Sequence, residues 1–280
     1  MTALRTPDDR FGDLAGFPFP PNYVDDLPGY EGLRAHYLDL GPRDAGRTFL
    51  CLHGEPTCVA PDFFGFGRSD KPIEDSAYTF PFHRTFLLRL VERLALGTIT
   101  LVVQDWGGTL GLTLPVDAAF RSALDRLFVM NTSLPVGEPL GPHFHEWRSQ
   151  VRNTPELPVG QWIRDSAPGL TDAEVAAYDA PFPDGRFQAG ARTFPGLAMV
   201  EPEMDGVAES RAALEFWTEE WSGDSFMAIG ANDPDVEAVE ALRGHIRGCP
   251  APLVLGDAGH FVPEAGERVA RAALRSFGDL

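Results

Sequence analysis

The most constraining feature of this sequence is an apolar run that ends abruptly in a glycine-rich turn. Residues 99–103 read ITLVV, and every one of them is β-branched or apolar, as in a strand buried on both faces. Gln104 to Gly108 break the run, and an apolar stretch with helical spacing follows from Thr109 to Phe120. The sequence therefore predicts a buried strand, a tight turn and a helix in direct succession.

Similar apolar runs recur along the chain. They predict strands at 33–40, 48–52, 127–130, 226–229 and 252–255, and helices at 211–221 and 264–277. Strands that alternate with helices form a mostly parallel sheet flanked by helices, so we predict an α/β fold. Residues 135–202 lack a clear strand and contain short amphipathic stretches rich in Trp and Phe. We therefore expect an α/β core at 1–134 and 203–280, with an inserted helical cap at 135–202.

Composition agrees with one large domain and argues against some partners. The 280 residues are 44% hydrophobic, which is enough for an α/β domain with an insertion. A formal net charge of -18 repels phosphate backbones and anionic membranes, so we expect no nucleic acid or membrane partner. The sequence shows neither a signal-peptide run nor a membrane-length apolar stretch. The 3 Cys have no metal-like spacing, so we expect reduced thiols, a cytoplasmic protein and no metal.

One predicted connection is too short for its topology. The strand at 48–52 and the run at 58–61 should be parallel neighbours, yet only residues 53–57 (HGEPT) separate them. A parallel crossover needs about a dozen residues or more, usually including a helix. We therefore expect a helix and part of a strand to be missing between Thr57 and Cys58. Either the deletion is genuine or these residues are absent from this sequence.

The turn after the 99–103 run places Asp105 where an α/β-hydrolase carries its nucleophile. Gly107 and Gly108 allow the following helix to approach closely. The usual nucleophile is Ser, which would leave a stable ether after attack on an alkyl carbon. Asp leaves an ester, and an ester can be hydrolysed. Asp105 therefore indicates displacement at an sp³ carbon of an alkyl halide or an epoxide, although a lone Asp before a helix can also be a simple cap.

A base and an acid are expected at later strand ends. His260 lies in DAGHF, just after the last predicted strand, and the order nucleophile, acid, His is that of α/β-hydrolases. We expect His260 to activate the water that attacks the ester. The strand before the cap ends in Asn131, which cannot carry a charge. We therefore predict that Asp233 orients His260, with Asp235 as its nearest rival.

Trp106 directly follows the predicted nucleophile. Its indole N–H is a donor without an acceptor function, so in an apolar pocket it can hold a departing halide. We expect its backbone N–H to form an oxyanion hole with the N–H of Glu55 in the HGEP turn. The alternative is that Trp106 only packs in the core.

Together these motifs resemble the haloalkane dehalogenases, in particular the subgroup that acts on short haloalkanes such as 1,2-dichloroethane. The resemblance covers nearly the whole chain, including FLCLHGEPT, APDFFGFGRSDKP, ITLVVQDWGGTLGLTLP and DAGHFVPEAGERVARAAL. It implies an α/β-hydrolase fold, a small haloalkane substrate, a halide product and no cofactor. It also implies that Phe194 and Pro195 line the substrate pocket. We expect a monomer.

The chain departs from that subgroup at the halide site. The cap Trp that supplies the second halide N–H would fall at Ser166. Trp162 lies one helical turn earlier, where the family has a pocket Phe, and can point the same way. We therefore predict Trp162 as the second halide donor. Pocket shape is also open, because Thr109 replaces an aromatic residue of the subgroup.

Two other function classes stay open at this point. Epoxide hydrolases share an Asp nucleophile and an HGxP turn but typically need two cap tyrosines, and only Tyr178 falls in the predicted cap. A fluoroacetate-type dehalogenase would more usually have Arg where this chain has Trp106. A non-catalytic binding protein is favoured by the missing helix and by Ser166, and disfavoured by the complete predicted triad. A halide-release assay separates these possibilities.

Overall fold

The computed structural model describes residues 1–12, 14, 16–41, 46–52 and 59–280. Glu55, the predicted oxyanion donor, lies outside the described residues, as does the junction between Thr57 and Cys58. The strands in the described part are β1 (Ala3–Leu4), β2 (Asn22–Val24), β3 (Ala35–Asp39), β4 (Thr48–Leu52), β5 (Val59–Pro61), β6 (Lys71–Pro72), β7 (Ile99–Gln104), β8 (Leu124–Met130), β9 (Asp224–Gly230) and β10 (Leu253–Leu255).

Most strands join one mixed sheet. Within the described residues its order is β10-β9-β8-β7-β4-β5-β3-β2. The neighbours from β10 to β5 run parallel, whereas β3 is antiparallel to both β5 and β2. β1 and β6 form a separate antiparallel pair. The predicted fold class, a mostly parallel sheet flanked by helices, is confirmed.

The helices in the described part are α1 (Phe80–Arg93), α2 (Trp106–Gly111), α3 (Ala118–Ala123), α4 (Pro142–Asn153), α5 (Val159–Ser166), α6 (Asp172–Asp179), α7 (Ala189–Thr193), α8 (Val207–Glu215), α9 (Val236–His245) and α10 (Gly266–Ser276). The helix predicted at 109–120 is wrong in its bounds. Pro115 falls in a 3₁₀ turn, and the Asp117 side chain accepts hydrogen bonds from the backbone of Ala119 and Phe120, which starts α3 as a new helix.

Each strand divides its side chains between two apolar clusters. Leu101 and Val103 of β7 face the cluster that holds buried residues of α1, α8 and α9, whereas Val102 faces the cluster that contains α10. All residues of β7 are buried. A strand covered on both faces needs apolar side chains at every position, which explains its continuous apolar run.

The face beneath α10 is covered less completely than the other face. Cys51, Val102, Phe128 and Met130 keep 4–6% of their surface exposed, whereas their neighbours Leu101 and Val103 keep none. Of the described helices, only α10 contributes buried residues to this cluster. A cavity of about 90 Å³ lies between these strands and α10.

The stretch 131–223 lies entirely within the described residues and contains no strand. We call α4 to α7, which lie between β8 and α8, the inserted helices. They contact the core near the carboxyl ends of β7, β9 and β10. The exact division into core and cap stays a prediction. None of the helices in the described part of the chain has the length and apolar character that crossing a membrane requires.

Candidate active site

Asp105 lies directly after β7 in a strained conformation. Its φ is 50° and its ψ is −126°, and Ala95 is the only other non-glycine residue with positive φ in the described part of the chain. Such a conformation costs an L-residue about 1–3 kcal/mol, so the surroundings must enforce it. The backbone N–H of Asp105 donates to the carbonyl of Asn131 at 2.9 Å, and its own carbonyl accepts from Thr132 Oγ1 at 2.6 Å.

Two glycines allow this turn to pack against the neighbouring strand ends. A Cβ atom on Gly107 would lie 2.0 Å from the carbonyl oxygen of Leu52, and one on Gly108 would lie 2.1 Å from Thr132 Oγ1. No larger residue fits at either position without displacing the backbone or Thr132. The glycines therefore set how close α2 comes to β4, and thereby where Asp105 projects.

The structure brings Asp105, His260 and Asp233 together. Nε2 of His260 lies 3.3 Å from Oδ1 of Asp105, and Nδ1 of His260 lies 2.8 Å from Oδ2 of Asp233. Asp105 follows β7, Asp233 follows β9 and His260 follows β10. Because parallel strands end at the same edge of a sheet, three residues distant in sequence meet there.

Asp233 is held as a buried carboxylate. Its side chain is 1% exposed, and its Oδ1 accepts from the backbone N–H of Asp235 at 2.9 Å. Burial by itself would raise the pKa of Asp233, but the hydrogen bond and charge of His260 outweigh burial and lower this pKa. The side chain therefore stays charged next to the imidazole.

The rival acid Asp235 points elsewhere. Its carboxylate lies 3.2 Å from Nδ1 of His143 on α4. Asp257, the other nearby carboxylate in the sequence, pairs with Arg268 at 2.6 Å. Of the candidate acids weighed from the sequence, the geometry places Asp233 beside His260.

The imidazole of His260 carries a strongly perturbed proton affinity. Burial lowers the pKa of His260, but hydrogen bonds to Asp105 and Asp233, together with their negative charges, raise it to about 10. The ring therefore carries its proton at neutral pH while both carboxylates are charged. To act as a base it must lose one of these two influences.

Asn131 belongs to the site, although the sequence singled it out only as unsuitable for the acid. It is fully buried at the end of β8. Its Nδ2 donates to Oδ2 of Asp233 at 2.6 Å and to the carbonyl of Gly259 at 3.2 Å, and its Oδ1 accepts from Gly230 N at 3.0 Å. The signal that could have found it is its place at the end of a central strand between the strands of the nucleophile and the acid.

An aromatic wall adjoins the nucleophile. The ring of Trp106 packs edge-to-face on Phe194 with centroids 5.2 Å apart, and Phe194 packs in the same manner on Phe66 at 4.6 Å. Phe194 and Pro195, the predicted pocket residues, are buried. Trp106 is half-buried, so its indole borders both the apolar interior and the space beside Asp105.

The free indole donors narrow the choice of a second halide ligand. The N–H groups of Trp217 and Trp221 already donate to the Leu112 carbonyl at 2.8 Å and to Ser225 Oγ at 2.9 Å. The other Trp residues, Trp106, Trp147 and Trp162, show no indole acceptor within the part of the chain that the structure describes. Trp147 on α4 and Trp162 on α5 are both half-buried.

The comparison with Ser166 is consistent with its short side chain playing no part at the halide. Ser166 is exposed at the end of α5, and its backbone carbonyl faces Gly259. Trp162 takes part in no ring contact among the described residues, so the structure does not join it to Trp106. Within those residues, no group of three or more His, Cys, Asp or Glu is arranged to hold a metal ion.

Comparisons with known proteins agree with this geometry. Residues 51–266 match the family described as the alpha/beta hydrolase fold. A haloalkane dehalogenase of Mycobacterium marinum is 39% identical over 96% of this chain and 99% of its own length. One from Psychrobacter cryohalolentis is 36% identical over 100% of this chain and 99% of its own length. That alignment extends over 308 positions, so the relative has residues without a counterpart among the 280 here.

Solved structures point to the same family. The haloalkane dehalogenase DpaA from Paraglaciecola agarilytica NO2 superposes with a TM-score of 0.96 and 46% identity over 100% of both chains. Its structure is described as tetrameric, which does not fit the monomer predicted from the sequence. A haloalkane dehalogenase from Bradyrhizobium elkani has a TM-score of 0.74 but only 23% identity, over 91% of this chain and 96% of its own, and supports the fold alone. The whole-length relatives exclude the epoxide hydrolase and non-catalytic alternatives, and the chain belongs to the haloalkane dehalogenases of the α/β-hydrolase fold.

Proposed function

We propose that the enzyme hydrolyses short haloalkanes to an alcohol and a halide through a covalent ester on Asp105. The observation that carries this proposal is the 3.3 Å separation between Nε2 of His260 and Oδ1 of Asp105. A carboxylate in this place can displace a halide from carbon, and the adjacent imidazole can direct water to the ester that results.

In the first step a carboxylate oxygen of Asp105 attacks the carbon that bears the halogen. The carbon–oxygen bond forms as the carbon–halogen bond breaks, and the halide leaves with the bonding electrons. The indole N–H of Trp106 is placed to stabilise the departing halide, with Trp162 as our candidate for the second donor. Phe194 and Pro195 supply an apolar wall that suits a small haloalkane.

Ester formation then prepares the base for the second step. The esterified Asp105 is neutral, so one of the two charges that raise the pKa of His260 disappears, and this pKa falls. Neutral His260 accepts a proton from water, and the hydroxide attacks the ester carbonyl. Asp233 stays charged and stabilises the imidazolium.

Collapse of the tetrahedral intermediate releases the alcohol and restores the Asp105 carboxylate. We propose that the backbone N–H of Trp106 stabilises the oxyanion, together with that of Glu55, which lies outside the described residues. The overall change consumes one haloalkane and one water and yields alcohol, halide and a proton.

The decisive test is halide release from 1,2-dibromoethane. The parent enzyme should release bromide, and Asp105→Asn should release none because an amide is a poor nucleophile of the same shape. Mass spectrometry must exclude slow deamidation of the variant back to Asp. Bromide release by intact Asp105→Asn at the parent rate would contradict the covalent mechanism.

We also propose that the enzyme self-associates. The support is the similarity over the full chain to DpaA, whose structure is described as tetrameric. Size-exclusion chromatography with light scattering measures the assembly directly. A molar mass of one chain at micromolar concentration would contradict this proposal and restore the monomer.

A further inference from the structure

The inserted helices contact the segment that carries His260 on both sides of this residue. Tyr178, in the last turn of α6, donates a hydrogen bond from its hydroxyl to the carboxylate of Glu264. On the other side, a Cβ atom on Gly259 would lie 3.0 Å from the carbonyl oxygen of Ser166 at the end of α5. The His260 backbone is therefore bracketed by contacts at residues 259 and 264.

Tyr178 is itself held in place by neighbours on either side. Asp179, the next residue, accepts a hydrogen bond from the backbone N–H of Gly160 at 2.8 Å, which joins α6 to α5. The carbonyl of Pro181 accepts from Thr6 Oγ1 at 2.7 Å, which ties the same stretch to the N-terminal segment. Tyr178 therefore reaches Glu264 from a fixed position.

The core alone holds His260 with few bonds. Its backbone carbonyl accepts from Gln104 Nε2 at 3.3 Å and from the N–H of Val262 at 3.0 Å. Its side chain remains 29% exposed in the connection between β10 and α10. An outside contact such as that of Tyr178 therefore has room to influence where the imidazole lies.

A second contact reaches the segment of the acid but is weaker by its setting. His143 and Asp235 approach to 3.2 Å, yet their side chains are 54% and 41% exposed. Exposed ion pairs typically contribute about 1 kcal/mol or less. Asp233 is also held by Asn131 and by the backbone of Asp235, so its position does not depend on His143.

We propose that Tyr178 and Glu264 are a positioning pair through which the inserted helices hold His260 in line with the ester carbonyl. This inference rests on the proposed two-step mechanism. Alkylation requires the carboxylate of Asp105, whereas ester hydrolysis also requires a correctly placed base. Loss of the pair should therefore slow the second step selectively and let the alkyl-enzyme accumulate.

The test compares Tyr178→Phe, Glu264→Ala and Glu264→Gln in rapid mixing with 1,2-dibromoethane. Bromide release in the first turnover should stay at the parent rate for all three variants. Steady-state release should fall about tenfold in Tyr178→Phe and Glu264→Ala, with KM falling in proportion. Glu264→Gln keeps an acceptor oxygen and should recover part of this loss. Mass spectrometry during turnover should show protein that carries the alkyl group.

Tyr30→Phe is the matched control. It also removes a tyrosine hydroxyl that donates a hydrogen bond, in this case to the carbonyl of Phe82, away from the inserted helices. It should lower the melting temperature without changing the balance between the two steps. The Tyr178→Phe, Glu264→Ala double variant should lose no more than either single variant, because the two residues act through one contact.

Two results would overturn the positioning role. One is that Tyr178→Phe and Glu264→Ala slow both steps equally, and the other is that they slow neither. His260→Gln serves as the separate test of the mechanism. If His260→Gln accumulates alkyl-enzyme while the pair variants do not, the mechanism stands and the positioning role is wrong.

Discussion

The side-chain amide of Asn131 donates a hydrogen bond of 2.6 Å to Oδ2 of Asp233. His260 Nδ1 lies 2.8 Å from the same oxygen, so the amide and the imidazole share one acceptor. The backbone carbonyl of Asn131 also accepts from Asp105 N at 2.9 Å. One residue at the end of β8 thus links the nucleophile and the acid, which arise from the strands on either side.

Asn131→Ala should therefore lower the free energy of unfolding by about 1–3 kcal/mol, because it leaves the buried N–H of Gly230 without its acceptor and Asp233 without a donor. Urea unfolding measures this difference. Asn232→Ala is the control, since the Asn232 side chain is exposed and donates to Gly256 at 3.1 Å. That change should cost less than about 0.5 kcal/mol. Equal losses in the two variants would count against the linking role.

His260→Gln should stop turnover after the first step. Alkylation of Asp105 needs no base, whereas hydrolysis of the ester does. Incubation with a bromoalkane followed by mass spectrometry should show stoichiometric alkylation, and digestion should locate the alkyl group on the peptide that contains Asp105. A folded variant that stays unmodified would show that His260 is not the base that activates water.

The pKa of His260 should fall in Asp105→Asn. In the parent, burial lowers this pKa, and the hydrogen bonds and charges of both Asp105 and Asp233 raise it to about 10. The amide is neutral, like the ester intermediate, so one of the raising influences is lost. Proton NMR of the His260 ring as a function of pH measures both values, and an unchanged pKa would contradict the proposed activation of the base.

The same shift has a consequence for stability. The pKa of His260 is raised above the ordinary value of 6.5, so its contribution to stability is complete below about pH 6.5 and is lost as the pH rises toward 10. The pKa of buried Lys71 is lowered to about 8, and its effect above pH 8 has the opposite sign. Between pH 6.5 and 8, stability should fall more steeply in the parent than in Asp105→Asn, as thermal melts in one buffer series can show.

Bromide quenching of tryptophan fluorescence should identify the halide donors. Trp106→Phe and Trp162→Phe should both weaken bromide binding and slow dechlorination, since each removes an N–H near the departing halide. Trp147→Phe is the informative comparison, because Trp147 is also half-buried on the inserted helices with no acceptor for its indole in the described part of the chain. If Trp162→Phe binds bromide like the parent and Trp147→Phe does not, the second donor is Trp147.

The short connection after β4 leads to a prediction about the protein from its native source. β4 and β5 are parallel neighbours, as expected, and the face beneath α10 keeps a cavity of about 90 Å³. A helix inserted between Thr57 and Cys58 would cover that face. Intact-mass measurement should therefore exceed 30.6 kDa. A mass of 30.6 kDa would show a genuine deletion, and the exposed face should then make the protein less stable than its relatives.

Much of the fold could be predicted because burial leaves a periodic record in the sequence. The apolar run of β7 reflects a strand covered on both faces, and its abrupt end at Asp105 reflects the strained turn that the two glycines permit. The break between α2 and α3 was missed because Pro115 and Asp117 interrupt a stretch whose apolar content continues. Helix α9 was also missed, since within the helix it buries only Val239 and Leu242.

The sequence by itself determined the chemistry of the nucleophile, the order of the triad along the chain and the fold class, because each depends on residues that are close in sequence. Only the tertiary structure decided between Asp233 and Asp235, drew Asn131 into the site and set Tyr178 against Glu264. These relationships join residues that are far apart along the chain. Local patterns record which side chains are buried, but the approach of one strand end or helix to another depends on the packing of the whole sheet.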